Sequence, residues 1–271
     1  MASTTRLRIL QLNIRGIKNK LLDLKTIIQE QNPDIISLNE TLLSGKNTIS
    51  IQGYTTILLN RPSQGGGIAL LLKNNIKHDE VIKIFIDKHE IIQCKILLEN
   101  NQHVYITSLY IPPHAKLNVE LLTLLNKDNT ILVGDLNCKH MKWGCNTTNK
   151  NGKTLKENLY DSGLENINLP LNYLHIKKNT TKYDRIQQVL TSIARTFQIE
   201  NVKPGENLGS DHLPIYFDVT FKLKTLDNTR KLYHKINYNN VKEILSKIYV
   251  TKCSTVKQIE QKTRKLQECL D

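Results

Sequence analysis

Short β-like runs alternate with helical stretches and turn residues from Arg6 to about Val219, and this alternation limits the fold more than any other feature. Residues 7–13 alternate with a two-residue period, whereas residues 17–31 carry leucine and isoleucine at helical spacing. Pro33 ends that helix because proline disfavours helical backbone in the residue before it. The alternation is typical of an α/β domain and argues against a helical bundle or a barrel of hairpins.

Strand-like runs outnumber helical runs in this part of the chain. Residues 91–98 and 104–110 are separated by a short polar segment and predict a hairpin. Because hairpin strands are antiparallel, we expect mixed rather than purely parallel sheets. Further strands are predicted at residues 35–38, 55–59, 68–72, 81–86, 130–134 and 213–220, and helices near residues 116–125 and 153–161.

The chain is strongly basic. Its 271 residues are 39% hydrophobic and 23% charged, which is enough apolar material for a packed core, and 38 Lys and Arg against 25 Asp and Glu give a net charge of +13. Such a field concentrates polyanions, so nucleic acid is the favoured partner, although surplus lysine also serves solubility alone.

The last fifth of the chain differs from the rest. Residues 222–271 hold twelve Lys and Arg against five Asp and Glu and lack strand alternation. Residues 238–248 and 254–270 are helical candidates. We therefore predict a catalytic domain at residues 1–221 and a basic, largely helical linker or appendage at residues 222–271.

No segment predicts a membrane span or export. The longest apolar runs, such as residues 68–72, are far shorter than the ~20 residues that cross a bilayer. The N-terminal residues lack the apolar core of a signal peptide. We expect a nuclear or cytoplasmic protein that is not secreted and has no membrane partner. Five cysteines without a CxxC pair argue against a disulfide framework and a zinc site.

Polar residues stand where predicted strands end. Because strand ends at one rim of a sheet are where sites assemble in α/β proteins, these residues predict a single site. Carboxylates and amides are oxygen ligands suited to Mg²⁺, while a histidine and a tyrosine supply hydrogen bonds that a phosphodiester transition state needs. The residues are Asn13, Glu40, Tyr110, Asp135 and Asn137, with Asp211 and His212 before the last strand.

Five short motifs, taken in order, resemble the endonuclease/exonuclease/phosphatase superfamily. The resemblance covers roughly residues 6–220. Its motifs are Leu12-Asn13 with Gly16, Pro33-Asp34-Ile35-Ile36-Ser37-Leu38-Asn39-Glu40-Thr41, Tyr110 with Pro112, Gly134-Asp135-Leu136-Asn137, and Ser210-Asp211-His212-Leu213-Pro214.

Within that superfamily the chain is most similar to the apurinic-type endonuclease domain of jockey-like non-LTR retrotransposons. The likeness rests on His140, Trp143 and Gly144 after the Asp135 motif and on the glycine run of residues 65–67. It implies an α/β fold in four layers, with two facing mixed sheets and outer helices. It further implies a magnesium-dependent DNA endonuclease, with Mn²⁺ as the alternative ion, that nicks double-stranded DNA and leaves a 3′-hydroxyl for target-primed reverse transcription. A reverse transcriptase domain or an element ribonucleoprotein is the implied partner.

The resemblance also implies individual roles. Glu40 holds the metal and Asn13 helps to organise its site. Asp135 orients or deprotonates the attacking water, and Asn137 holds the phosphate and Asp135. Tyr110 contacts the phosphate near the leaving group. His212 hydrogen-bonds a phosphate oxygen, while Asp211 lies behind it or binds a second metal.

One position departs from the family pattern. The family places an aspartate beside its catalytic histidine, and alignment on residues 189–191 puts Gln187 at that position. A glutamine cannot stabilise an imidazolium as a carboxylate does, so impaired activity follows. A register shift that delivers Asp184 instead is the alternative, although three residues along a strand also change the face.

Other interpretations remain open at this stage. Arg15, where repair relatives carry an acidic residue, either faces the DNA backbone or is a solvated loop residue. His140 and Trp143 either pack their loop or contact DNA near the cut. For the whole chain, the alternatives are a catalytically weakened DNA-binding module and a superfamily member that acts on a phosphoinositide, sphingomyelin or an RNA tail.

Overall fold

A computed structural model describes residues 4–62, 65–167, 187–192 and 195–222 of the chain. The predicted helices at residues 238–248 and 254–270 lie outside the described residues, and so does Asp184. The boundary at residue 221 therefore stays a prediction.

The first of two six-stranded sheets is built around the N-terminal strand. Its strands, numbered in chain order, are β1 Thr4–Asn13, β2 Ile35–Asn39, β3 Tyr54–Leu59, β4 Ile68–Lys73, β11 Phe197–Pro204 and β12 Ile215–Lys222. They lie in the order β11-β12-β1-β2-β4-β3. Only β1 and β2 are a parallel pair, so the sheet is mixed.

The second sheet has the same mixed character. Its strands are β5 His78–Ile86, β6 His89–Leu97, β7 His103–Tyr110, β8 Thr130–Asp135, β9 Leu164–Asn166 and β10 Gln187–Ser192. They lie in the order β5-β6-β7-β8-β10-β9, and only β7 and β8 are parallel. The predicted hairpin of residues 91–98 and 104–110 is the antiparallel pair β6 and β7.

The sheets face each other across an apolar core. One cluster joins Ile9 of the first sheet to Ile106 of the second. Two further clusters cover the outer faces. Helix α1, Leu21–Gln31, packs on the first sheet, and helices α2, Val119–Leu125, and α3, Lys150–Asn158, pack on the second. The prediction of four layers with two facing mixed sheets is confirmed.

Three strands, β9, β10 and β11, were not among the strands predicted from the sequence pattern, although the family resemblance had placed the residues of β10 in a strand. β9 has only three residues, and β11 is an edge strand with an irregular register between Glu200 and Lys203. Its residues are mostly exposed or half-buried, so no apolar alternation marks it. Helix α1 also begins four residues later than predicted because a 3₁₀ turn, Lys18–Lys20, precedes it.

The two parallel pairs position polar residues at one rim. β1, β2, β7 and β8 all end there, at Asn13, Asn39, Tyr110 and Asp135, and Asn13 pairs with Asn39 as Tyr110 pairs with Asp135. A buried hydrogen bond joins the sheets nearby, because the Asn39 Oδ1 accepts the Asp135 N–H at 2.8 Å.

None of the helices in the described ranges is long and apolar enough to span a membrane.

Candidate active site

Glu40 lies at the centre of the polar cluster at this rim. It follows β2 with φ of 50°, a backbone conformation that is uncommon for a residue with a side chain. Its Oε1 accepts the Tyr110 hydroxyl at 2.9 Å and the Asn13 Nδ2 at 2.9 Å. The same Asn13 nitrogen donates to the Asp135 Oδ2 at 2.8 Å. One amide therefore holds two carboxylates from different sheets.

Asp135 is almost completely buried, with 1% of its surface exposed. Burial raises its pKa to about 7, the charges of Glu40 and Asp211 add to the rise, and hydrogen bonds from Asn13 and the Asn137 N–H oppose it. A carboxyl with this pKa exchanges a proton near neutral pH, as a general base must.

Gly134 explains how Asp135 comes to face Tyr110. A Cβ at Gly134 would lie 1.7 Å from the carbonyl oxygen of Leu109, so only glycine lets β8 approach β7 this closely. The close approach brings the end of β8 beside the end of β7.

His212 closes the cluster from the loop before β12. Its Nε2 lies 3.8 Å from the Asp135 Oδ2 and 3.8 Å from the Asp211 Oδ1. Ser210 fixes this loop, since its hydroxyl donates to the Asn13 carbonyl at 2.8 Å and accepts the His212 N–H at 3.3 Å. The imidazole is therefore held beside the buried carboxylate.

Tyr110 keeps its proton at this site. Burial raises the pKa of Tyr110 above its ordinary value, and the Glu40 charge and hydrogen bond raise it further. The phenol is thus a hydrogen-bond donor at neutral pH, and it donates to the Glu40 carboxylate.

The remaining predicted residues lie around this cluster. Asn137 donates its N–H to the Asp135 Oδ1 at 3.1 Å, while its side-chain amide donates to the Ile111 carbonyl at 2.9 Å. Arg15 forms an ion pair with the partly exposed Asp211. This pair is a contact that sequence reasoning did not anticipate, because the two residues are far apart in the chain.

His140 and Trp143 lie in the loop after Asp135. The Trp143 ring is 3% exposed and its Nε1 donates to the Cys138 carbonyl at 2.9 Å. The His140 ring, which is half-buried, lies 4.9 Å from the Trp143 ring. The position of Trp143 fits the loop-packing interpretation and leaves its ring little surface for DNA.

Gln187 is the first residue of β10, and the backbone register places it opposite Asp135 of β8. The backbone of Gln187 therefore lies beside the buried carboxylate, and its assignment to the family's aspartate position stays a prediction.

The oxygen-rich rim suits a hard divalent cation. Within the described residues no three His, Cys, Asp or Glu side chains form a complete metal site. Mg²⁺ is nevertheless usually held by one or two carboxylates, several waters and substrate phosphate. Glu40, with Asp135 beside it, fits that mode. The Asn13 Oδ1 accepts the Arg15 N–H at 3.2 Å, so Asn13 presents its nitrogen to the carboxylates and orients them.

Sequence reasoning missed three residues around the site. Asn39 accepts the Asp135 N–H, and Arg61 forms an ion pair with the buried Glu90 near Tyr110. Charged Glu90 beside the apolar run of residues 91–92 was the available signal, because a charge at a strand's buried end needs a partner.

Comparisons with known proteins show sequences similar to this chain. Residues 104–216 match the family described as endonuclease-reverse transcriptase. Over 217 residues, 77% of this chain, the sequence is 28% identical to the probable RNA-directed DNA polymerase from transposon X-element of Drosophila melanogaster. It is 24% identical over 148 residues to the RNA-directed DNA polymerase from mobile element jockey of Drosophila funebris. The matched regions span 24% and 16% of those proteins.

Solved structures share the fold. The endonuclease domain of TRAS1, a telomere-specific non-LTR retrotransposon, superposes with a TM-score of 0.64 at 18% identity and covers 81% of this chain and 100% of that one. An AP endonuclease from Archaeoglobus fulgidus superposes with a TM-score of 0.59 at 12% identity, covering 80% of this chain and 100% of that one. At these identities the superpositions show that the fold is shared, and the family and sequence matches support a nuclease function in general. The resemblance of this chain to the endonuclease/exonuclease/phosphatase superfamily, and to the endonuclease domain of non-LTR retrotransposons within it, is thereby confirmed.

Proposed function

We propose that this chain is a divalent-metal-dependent DNA endonuclease that nicks target DNA and leaves a 3′-hydroxyl for reverse transcription. The observation that carries the proposal is the hydrogen-bonded cluster of Asn13, Glu40, Tyr110 and Asp135, with His212 beside it, at one rim of this fold. The cluster combines a carboxylate that can bind a metal ion, a buried base and hydrogen-bond donors. The first four residues are joined by hydrogen bonds, and the His212 Nε2 lies 3.8 Å from the Asp135 Oδ2.

Glu40 holds Mg²⁺, or Mn²⁺ in its place, and Asn13 keeps the Glu40 carboxylate in position. When bound, the ion offsets charge on the phosphate. The ion pair of Arg15 and Asp211 lies at the same rim. In this arrangement the Asp211 carboxylate contacts Arg15 and lies beside His212, so we assign it to these two residues rather than to a second metal ion.

Asp135 accepts the proton of the attacking water, whose oxygen bonds to phosphorus as the bond to the 3′ oxygen breaks. Asn137 fixes Asp135 through its N–H, and its side-chain amide, which donates to the Ile111 carbonyl in the free protein, is assigned to the phosphate. His212 donates a hydrogen bond to a non-bridging oxygen and stabilises its charge. Tyr110 contacts the phosphate near the leaving oxygen, which departs as an alkoxide and takes a proton from solvent water to become the 3′-hydroxyl.

Double-stranded DNA is the proposed substrate. The net charge of +13 supports a polyanion, and the X-element and jockey relatives are RNA-directed DNA polymerases. Arg15 and His140 are the proposed DNA contacts, and buried Trp143 supports the loop that carries His140. A reverse transcriptase domain or an element ribonucleoprotein is the proposed partner that uses the new 3′ end.

The test is nicking of supercoiled plasmid by the purified chain with Mg²⁺ or with EDTA. We expect nicks with Mg²⁺ alone, extension of the nicked strand by a DNA polymerase, and loss of nicking in Glu40→Gln. Phosphoinositide, sphingomyelin and RNA substrates in the same panel would remain uncleaved. Equal nicking in EDTA, or ends that a polymerase cannot extend, would contradict the proposal.

Gln187 supports the second candidate, a catalytically weakened DNA-binding module. Its backbone lies opposite Asp135, the strand position where a family aspartate would assist His212. Gln187→Asp distinguishes the two: a gain in nicking means that the glutamine lowers activity. DNA binding without nicking in both the unsubstituted chain and Gln187→Asp would establish the binding module.

A further inference from the structure

A buried ion pair lies behind the active-site cluster. Glu90, at the start of β6, has a side chain that is 1% exposed, and its partner Arg61 has one that is 17% exposed. Burial raises the pKa of Glu90 to about 7 even though the Arg61 charge lowers it. Removing two charges from water is costly, and an apolar pair of similar volume often stabilises a protein equally well. Stability alone therefore does not account for this pair.

Arg61 reaches Glu40 through Tyr110. The guanidinium carbon lies 5.9 Å from the centre of the Tyr110 ring, within the range of a cation–π contact. Glu90 and Tyr110 are paired across β6 and β7, so the ion pair and the tyrosine share one level of the sheet. Tyr110 donates its hydroxyl to Glu40, which completes the first connection.

Glu90 reaches Glu40 by a second route, through the glycine run. Its Oε2 accepts the Gly67 N–H at 2.7 Å. The carbonyls of Gly66 and Gly67 accept the N–H groups of Leu42 and Thr41 at 2.8 and 2.9 Å, directly after Glu40 in the chain. The ion pair thus braces the loop that holds Glu40 in its left-handed conformation.

Gly66 explains why a glycine run stands here. A Cβ at Gly66 would lie 2.3 Å from the Glu90 Oε1 and 2.5 Å from the Arg61 Nε, and the residue has φ of 63°. The backbone therefore packs directly on the ion pair, where no side chain fits.

We propose that Arg61 and Glu90 are positioning residues that fix the metal ligand Glu40 and the phosphate contact Tyr110. This inference rests on the metal site of the proposed function. Partners that orient a metal ligand typically change metal affinity 10–100-fold when they are removed.

The test measures Mn²⁺ binding to the free protein through the electron paramagnetic resonance signal of unbound Mn²⁺. The central variant is the double substitution Arg61→Met with Glu90→Leu, which removes both charges and leaves none buried alone. Because the buried Gly67 N–H loses its acceptor, we expect the variant to unfold at a somewhat lower temperature, to stay folded during the measurement, and to bind Mn²⁺ about tenfold more weakly. Arg61→Lys, which retains the charge, should recover part of the affinity.

Phe85→Leu is the matched control. The Phe85 ring also lies against Arg61, at 5.5 Å, but it is exposed and has no route to Glu40 through the contacts above. It should bind Mn²⁺ as the unsubstituted chain does. Unchanged affinity in the double variant, with normal binding by the unsubstituted chain, overturns the inference and leaves the proposed function standing. No binding by the unsubstituted chain overturns both.

Discussion

An aspartate lies near each end of β1, and the pKa values of the two are shifted in opposite directions. At the first end, Arg6, Arg8 and Asn201 surround Asp218, whose side chain is 4% exposed. Burial alone raises the pKa of Asp218, but those hydrogen bonds and the Arg6 charge outweigh it, so the pKa lies below its ordinary value. At the other end, Asp135 lies deeper in the fold than Asp218, which is covered by partly exposed arginines, and burial raises the pKa of Asp135 to about 7.

The difference in pKa comes from the depth of burial and from the donors. Asp218 is surrounded by guanidinium groups, whereas Asp135 receives hydrogen bonds from the neutral amides of Asn13 and Asn137 and has Glu40 nearby as a second carboxylate. At the Asp218 end, the arginines neutralise the carboxylate and the contacts contribute to stability. At the Asp135 end, the carboxylates of Asp135 and Glu40 have no cationic partner of this kind among the described residues, so an incoming cation can offset their charge. This is expected of a site that favours activity over stability.

The first prediction compares the nicking rates of variants at the two ends of β1. His212→Ala should lower the nicking rate by about 10²–10³-fold, because the hydrogen bond to the developing phosphate charge is lost. Arg8→Ala, which removes a cation beside the other aspartate, should leave the rate within about twofold. Plasmid nicking with excess enzyme measures both, and equal losses in the two variants would contradict the comparison.

The second prediction concerns stability at the compensated end. Asp218→Asn leaves Arg6 and Arg8 without their carboxylate and should lower the free energy of unfolding by about 1–2 kcal/mol, because both arginines are partly exposed. Glu200→Gln on the neighbouring β11 is the control, since this carboxylate is exposed and its replacement should change stability by less than about 0.5 kcal/mol. Urea unfolding measures the difference.

The third prediction uses pH. A carboxyl whose pKa is raised on folding contributes stability that is present below its unfolded pKa and lost as pH rises through its folded pKa, here about 7. In EDTA, Asp135→Asn should therefore gain about 2–3 kcal/mol of stability relative to the unsubstituted chain between about pH 5 and pH 8, which corresponds to roughly 5–10 °C in Tm. Asp218 has the opposite sign, so the stability it contributes should be lost as pH falls into the acid range. A constant difference between pH 5 and pH 8 would contradict the burial of Asp135.

The smallest effect concerns Arg15 at the rim. Arg15→Gln should weaken DNA binding about threefold and reduce the slope of log affinity against log salt by about one, as the loss of one phosphate contact does. Lys25→Gln, on the exposed face of α1, should change neither quantity. An unchanged salt slope in Arg15→Gln would show that Arg15 serves Asp211 alone.

Much of the fold and of the cluster could be predicted from the sequence because strand ends carry the signal. Asn13, Glu40, Tyr110 and Asp135 each follow an apolar run, and parallel pairing brings such ends together. β11 could not be predicted, because an exposed edge strand with an irregular register shows no alternation. The charge of Glu90 beside an apolar run could have indicated that it needs a partner, but the identity of that partner, Arg61, could not be predicted because it depends on the packing of two sheets.

The most direct test of the account is Asp135→Asn, with its plasmid nicking rate in Mg²⁺ and its unfolding curve in EDTA measured on one preparation. The account predicts a loss of nicking of about 10²–10⁴-fold, because the amide cannot accept the water proton, together with unchanged or increased stability at pH 8. Nicking at the rate of the unsubstituted chain would contradict the role of Asp135, and a marked loss of stability would contradict the difference between the two ends of β1.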